Sequence, residues 1–486
     1  MKSSSTIFGQ LVALAFGGTT AILAAIPENV PPVTFDEGRG VIQIAERLRL
    51  EDRSNNFDFN SAVHSANDDS WLLHRLRLGL TWKPDAQTSV QVGLQDSREF
   101  GSDRPNVPYI SGAEGTDVLD LQLAAVTWGN PATAPVSFTL GRQSLAFGDE
   151  RLVGPGDWGN LMRAFDGAKV IWNLVPGKTT VTFFATETVH IGEETGGNGW
   201  KFNNSGRGDL FSGAYLSHKL TPKDTLETYV FWRNKSNNGP IYTTTNTSIP
   251  VAARTTAPYD IGQDVVTFGA RFVRGPKPGA FDHEYEAAYQ AGNVDRQTLT
   301  NTGPYGGNRA KLDQAAWAIH GLLGYTPDNV AWKPRLSVEY NVASGDTNRA
   351  DGKNGSFMGM FPSNHKFYGT MDAFAWKNIR EAVASVRFVP VAKTTLRIDY
   401  HRFSLYTDED AWYRANGVAT VRPLNAAAQS APTRVGDEID INGSWTPRPW
   451  AAIDIGYAHF LSGAYLSATG ARSDADFFYL QTTLKL

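Results

Sequence analysis

Tyr325-Thr326-Pro327-Asp328-Asn329, followed three residues later by Lys333-Pro334-Arg335-Leu336-Ser337-Val338-Glu339-Tyr340-Asn341-Val342, holds the pattern that decides the fold. Proline cannot donate to a strand ladder, so the first stretch ends one strand and turns the chain back. The second then alternates strictly, with Lys333, Arg335, Ser337, Glu339 and Asn341 on one side and Leu336, Val338, Tyr340 and Val342 on the other. A period of two means a strand with one polar and one apolar face. An aromatic, a proline turn and a two-faced strand make one unit.

The unit recurs about every fifty residues, at Lys83–Ala86, Asn130–Pro135, Val175–Lys178, Thr221–Asp224, Gly275–Gly279, Val389–Ala392 and Thr446–Pro449. Seven of the eight turns have an aromatic just upstream: Trp82, Trp128, Trp172, Phe272, Tyr325, Phe388 and Trp445. A soluble sheet has no use for an aromatic at the same end of every second strand. A membrane barrel does, because Trp and Tyr settle at the membrane–water boundary. Alternation between the turns predicts about eighteen strands, near 40–53, 70–83, 87–98, 117–129, 136–148, 163–175, 178–192, 207–221, 224–236, 260–275, 279–293, 310–325, 332–345, 378–390, 392–408, 433–447, 448–462 and 474–486. Connections at the other end are long and rich in Gly, Asn, Asp and Ser. The expected fold is all-β: a transmembrane antiparallel β-barrel with short periplasmic turns and long extracellular loops. Its apolar face meets lipid and its polar face lines the lumen.

Composition narrows the class further. The 486 residues have 12% aromatics and 47 Gly, yet a mean hydropathy of −0.31, too low for a bundle of membrane helices. The longest apolar stretch, Ile7 to Ile26, follows Lys2 and closes on Ala21, Ala24 and Ala25. It reads as a secretory signal over 1–25 rather than an uncleaved anchor. Residues 26–39 form a lead-in, and 40–486 the barrel. The net charge of −4 becomes one unit more negative without Lys2, which argues against nucleic acid as a partner. With no Cys there is neither disulfide nor thiolate metal site. No cofactor is expected. Gly154–Gly159 fits a dinucleotide-binding glycine pattern, but no βαβ unit surrounds it. The Asp346–Gly355 stretch departs from calcium-loop spacing.

Parity places a dense set of charges in the lumen. Basic candidates include Arg47, Arg49, Arg75, Arg77, Lys169, Arg271, Arg335, Arg387 and Arg397, and carboxylates include Asp282, Glu284, Glu286, Glu438 and Asp440. Strands one and two supply mostly arginine, while strands eleven and sixteen supply acids. This segregation sets a field across the pore, and rings of Arg or Lys select anions.

Three groups of segments carry a resemblance. The first is Gly141-Arg142-Gln143, Phe147–Asn160 and Arg163–Gly167; the second is Ser344-Gly345-Asp346, Phe361–Gly369 and Asn378-Ile379-Arg380; the third is Gly456–Gly463 with Asp476–Gln481. Together they resemble the alginate export family of outer-membrane barrels. The resemblance implies eighteen strands around a positively charged constriction that passes a polyuronate outward. It implies that Arg142 and Arg163 face the polymer, with Asp166 as an orienting partner, and adds periplasmic export partners to the expected ones, outer-membrane lipid and an anionic polysaccharide or acidic oligosaccharide. Arginine suits a polyuronate because its planar fork grips carboxylate bidentately. A general porin for other small solutes is the alternative. A polysaccharide-degrading enzyme using Glu284 and Glu286 is disfavoured, since both lie on one face of one strand rather than across a bound sugar.

Overall fold

The computed structural model describes residues 29–56, 59–60, 68–102, 116–191, 202–206, 208–236, 262–295, 311–418, 420–422 and 424–486. Among the described residues eighteen long strands form one antiparallel sheet. They are β1 (Gly40–Ser54), β2 (Asp69–Trp82), β3 (Thr88–Phe100), β4 (Asp117–Trp128), β5 (Val136–Gln143), β6 (Phe165–Val175), β7 (Thr179–Thr188), β8 (Asp209–Lys219), β9 (Asp224–Lys235), β10 (Gln263–Arg274), β11 (Ala280–Asp295), β12 (Lys311–Thr326), β13 (Arg335–Ala343), β14 (Ile379–Phe388), β15 (Thr394–Leu405), β16 (Arg434–Arg448), β17 (Ala451–Ser462) and β18 (Ala475–Lys485). Each strand pairs with its sequence neighbours, and β18 returns to β1 in register from Ala45↔Lys485 to Ser54↔Asp476. Ile44 and Leu486 extend that seam by exchanging N–H···O bonds of 2.9 and 2.8 Å. Closure leaves no sheet edge, the condition for putting strands into hydrocarbon.

The outer surface carries the pattern that the alternation predicts. Trp128, Trp172, Phe281 and Tyr325 stand exposed at the turn end, and Phe268, Ile319, Val338 and Ile441 are exposed along the wall between. In the lead-in, Val33–Phe35 pairs back onto the start of β1, and Trp82 Nε1 donates to Asp36 at 2.7 Å.

The structure departs from the sequence reading mainly at strand five. The alternation runs to residue 148, but β5 leaves the wall at Gln143 and β6 resumes only at Phe165. Gly141 and Gly167 face each other just before the exit, with φ of +119° and +154°. A Cβ on either would sit 2.2–2.3 Å from a carbonyl oxygen of the neighbouring strand, so this pair of positions admits glycine alone. Between these strands, residues 144–164 fold into the lumen rather than out from the rim. Residues 355–378 do the same, after an exposed stretch at 347–353 that leads into a short parallel pairing of Lys353 and Asn354 with the start of β12.

The lumen is consequently less polar than alternation alone implies. Phe147, Phe165, Phe184, Phe211, Tyr215, Phe231 and Phe361 form one ring-to-ring cluster inside β6–β9. Phe59, Phe374, Phe403, Trp412 and Phe460 form another near the loop end. Aromatics point inward here because the folded-in segments give them a dry partner surface, which bare water would not.

If β12 crosses hydrocarbon at mid-depth, Ile319→Arg will lower folding stability in lipid bilayers by about 2–4 kcal/mol, whereas Val391→Arg, in a turn, will cost under about 1 kcal/mol. Equal effects in a bilayer-folding titration would contradict the assigned lipid face.

Candidate functional site: a charged passage beside a luminal strap

Residues 144–164 cross the lumen as a strap that sets Arg151, preceded by Asp149 and Glu150, on one arm and Asp157 on the other. On one arm, buried Arg151 reaches Asn341 Oδ1 and the Tyr368 hydroxyl at 3.3 Å and Glu339 at 3.5 Å, and its guanidinium lies 4.1 Å from the Phe367 ring centroid. That is the acidic side, where Glu284, Glu286, Glu339 and Glu381 line up on β11, β13 and β14. On the other arm, residues 157–160 meet the arginines of β1 and β2. Arg47 donates to the carbonyls of Asp157 and Gly159 at 2.8 and 2.9 Å. Arg75 donates to the same two at 3.0 Å. Arg77 binds Asp157 Oδ1 and Gln95 Oε1, each at 2.7 Å. Asn160 closes the arm by donating to the carbonyls of His74 and Arg98 at 3.2 and 3.1 Å while its own carbonyl accepts Ser97 Oγ at 2.9 Å.

Burial would raise the Asp157 carboxyl, but Arg75 and Arg77 outweigh it and hold it below the usual carboxylate range. Trp158 is sandwiched: the Arg49 guanidinium lies 3.7 Å from its ring centroid, and His365 stacks on it at 3.5 Å and 6°. His365 is fixed by Asp372, 2.9 Å from its Nδ1. Trp158 therefore joins the strap to the second inward segment. Their backbones also interlock, Gly154 N–H to the Phe361 carbonyl and Phe361 N–H to the Leu152 carbonyl, both at 2.8 Å. Arg163 clips the joint through the carbonyls of Gly154, Phe361 and Pro362 at 3.1, 2.9 and 2.7 Å.

Beside the strap a cavity of ≈ 940 Å³ runs between Asn56 and Phe59 near the loop end and Trp450 and Lys485 near the turn end. Eight Lys or Arg line it against five carboxylates, so the passage is net positive. Arg47, Arg75, Arg77 and Arg163 are among them, and so are Arg53, Lys366 and Arg414, which parity did not single out. Arg414 and Lys366 sit on inward or connecting segments, where a strand period says nothing.

The remaining candidates lie in the wall outside the cavity lining, Arg49 directly behind Trp158. Arg49 is fully buried and paired with Glu51 at 2.7 Å. Arg142 grips Asp166 bidentately at 2.8 and 2.9 Å and donates to the Leu121 carbonyl, and Ser205 holds Asp166 from the other side. Arg271 is paired with Glu227 and Glu284. Lys169 stands on β6 opposite Thr139. Arg335, Arg387 and Arg397 lie directly opposite one another across β13–β15 near the turn end. Such a row is self-repelling; Asp282 binds Arg335 at 2.5 Å and Asp399 binds Arg397 at 2.8 Å.

A closed eighteen-stranded barrel whose inward segments narrow a charged passage defines a channel of the outer-membrane porin type. The alginate export family model matches residues 41–479, and the chain belongs to that family. In overall shape it is similar to OprE (OccK8) of Pseudomonas aeruginosa, with a TM-score of 0.54 at 13% identity over 93% of this chain and 99% of the other. OccAB4 of Acinetobacter baumannii gives 0.53 at 12% over 92% and 98%. OpdP (OccD3) of Pseudomonas aeruginosa gives 0.53 at 9% over 96% and 97%. No functionally curated protein matches the chain.

Asn160→Ala removes the donors to two carbonyls, each costing about 1–3 kcal/mol if left unpaired. The strap tip will loosen, and single-channel recordings will show larger, noisier conductance; an unchanged trace would mean the tip is held elsewhere. A lowered carboxyl stabilises the fold above its unfolded value of about 3.9 and loses that contribution as pH falls through its folded value. The Asp157 arm of the strap will therefore stay in place from pH 7 to 5. An acid-induced rise in conductance will come only below about pH 4, and Asp157→Asn will lack that step.

Proposed function

We propose that the chain is an outer-membrane channel for passive passage of an anionic polysaccharide of the alginate-like polyuronate class, or of its acidic oligosaccharides. The observation that carries this reading is the net-positive lining of the ≈ 940 Å³ passage. A volume in the roughly 300–1,000 Å³ range suits a short run of sugars held at a time. Arg47, Arg75, Arg77 and Arg163 form the contact set. The strap's carbonyls and Asp157 already engage part of each guanidinium, which weakens any one grip on a carboxylate. Weak, multiple and exchangeable sites are what conduction requires. The Arg335–Arg387–Arg397 row acts as a collecting ring near the turn end. Arg49, Arg142 with Asp166, Lys169 and Arg271 brace and polarise the wall. A second reading, passage of small acidic solutes, draws on the narrowing by two inward segments and uses the same arginines.

Reconstituted in planar bilayers under a salt gradient, the channel will favour chloride over potassium. Uronate oligomers will block it and neutral oligosaccharides of equal length will not. Arg77→Ala will weaken uronate block about three- to tenfold, the worth of a partly exposed charged contact. Asp157→Asn will strengthen anion preference, and Arg142→Ala will leave block within about twofold because its fork is filled by Asp166. Equal permeability to both ions with no uronate block would remove the proposal. Block by monomeric but not oligomeric uronate would select the second reading.

A further inference from the structure

On the acidic side, the register of β15 and β16 puts Asp399 directly opposite Asp440 and His401 directly opposite Glu438. Glu381 joins them from β14. All five are at most 4% exposed. Opposed like charges destabilise a strand pair, and buried carboxylates demand compensation.

The compensation from neighbouring elements is partial. Arg397 reaches Asp399 at 2.8 Å. Thr370 gives its N–H and hydroxyl to Asp440 Oδ2 at 2.9 and 2.8 Å. Met371 N–H donates to Glu438 Oε1 at 3.0 Å and Asn341 Nδ2 to Glu381 Oε2 at 2.7 Å. Three buried atoms still have no hydrogen-bond partner: His401 Nε2, Asp440 Oδ1 and Glu438 Oε2.

Their arrangement has the form of a metal site. His401 Nδ1 lies 2.7 Å from Glu381 Oε1; in the neutral tautomer whose Nδ1–H donates to that carboxylate, Nε2 carries the lone pair, directed into the cluster. A carboxylate behind the imidazole is the usual support for a metal-bound histidine. His401 Nε2 is 3.3 Å from Asp440 Oδ2. Tetrahedral coordination at about 2.0–2.1 Å sets ligand atoms roughly 3.3–3.4 Å apart. Ligand atoms of Asp399, His401 and Asp440 all lie within 4.8 Å of one another, and a small contraction would bring them onto one ion.

We propose that His401 Nε2, Asp440 and Asp399 bind a divalent transition-metal ion of the zinc class, with Glu381 as the positioning residue for His401. One imidazole with carboxylates suits zinc, manganese or cobalt better than calcium or magnesium. The ion enters while the barrel folds, before residues 355–378 cover the site. Because Asp440 and Glu438 also hold Thr370 and Met371, the ion fixes the wall on which the second inward segment is seated.

The test uses the full chain folded in detergent with Zn2+ present, desalted, and assayed for retained metal by mass spectrometry. Wild type will keep about one equivalent, and its heat-unfolding temperature will rise relative to protein folded with chelator. His401→Gln and Asp399→Asn will lose both effects. Folding with Co2+ gives a readout that needs no variant, since imidazole–carboxylate coordination yields visible absorption bands. Zinc retained equally by wild type and His401→Gln overturns the proposal. So does wild-type protein with neither retained zinc nor cobalt bands, the result expected of a protonated His401 bridging Glu381 and Asp440.

Discussion

Hydrocarbon offers no hydrogen bond to a peptide group, and each unpaired N–H or C=O left in it costs several kcal/mol. For a sheet, the remedy is to close. Closure at eighteen strands dictates the character of the interior, because a ring of that size cannot be filled by wall side chains alone. The space has to hold water, or chain that returns into it. Here both occur: 144–164 and 355–378 occupy much of the lumen, and the passage survives along the β1–β2 and β16–β18 side.

The charges on the wall then acquire a second role. Arginines of β1 and β2 and carboxylates of β11–β14 face each other across the lumen, and the strap between them carries Asp157 toward the first and Arg151 toward the second. Breaking the buried Arg151 pairing costs about 3–5 kcal/mol, whereas the exposed Asp157 carboxylate adds about 1 kcal/mol or less. The strap consequently has one low-energy placement, and the same arginines that anchor it remain as the lining of the passage.

Much of this fold could be read from residue order. Alternation and proline turns located all eighteen strands because lipid on one side and polar surroundings on the other impose a period of two on every strand. The same logic failed at residues 144–148, where alternation continued but the partner surface changed from wall to lumen, and at inward aromatics such as Phe211 and Phe231. Nothing local distinguishes a phenylalanine facing lipid from one facing a returning segment. For the passage, parity named Arg47, Arg75 and Arg77, which lie on regular strands. It also named Arg49 and Arg271, whose pairing depends on residues far along the chain. Trp158 and His365 lay within segments that stood out as unusual, yet their stacking arises from two connections meeting in space, which no periodicity encodes.

The seam between β1 and β18 has an implication for biogenesis. The first wall strand waits for residues 475–486, far along the chain, before its outer ladder is filled. Until then the nascent polypeptide presents two open margins about four hundred positions apart in the chain. A product shortened by a single strand would have no cylinder to insert, and its exposed margins would favour pairing with other copies.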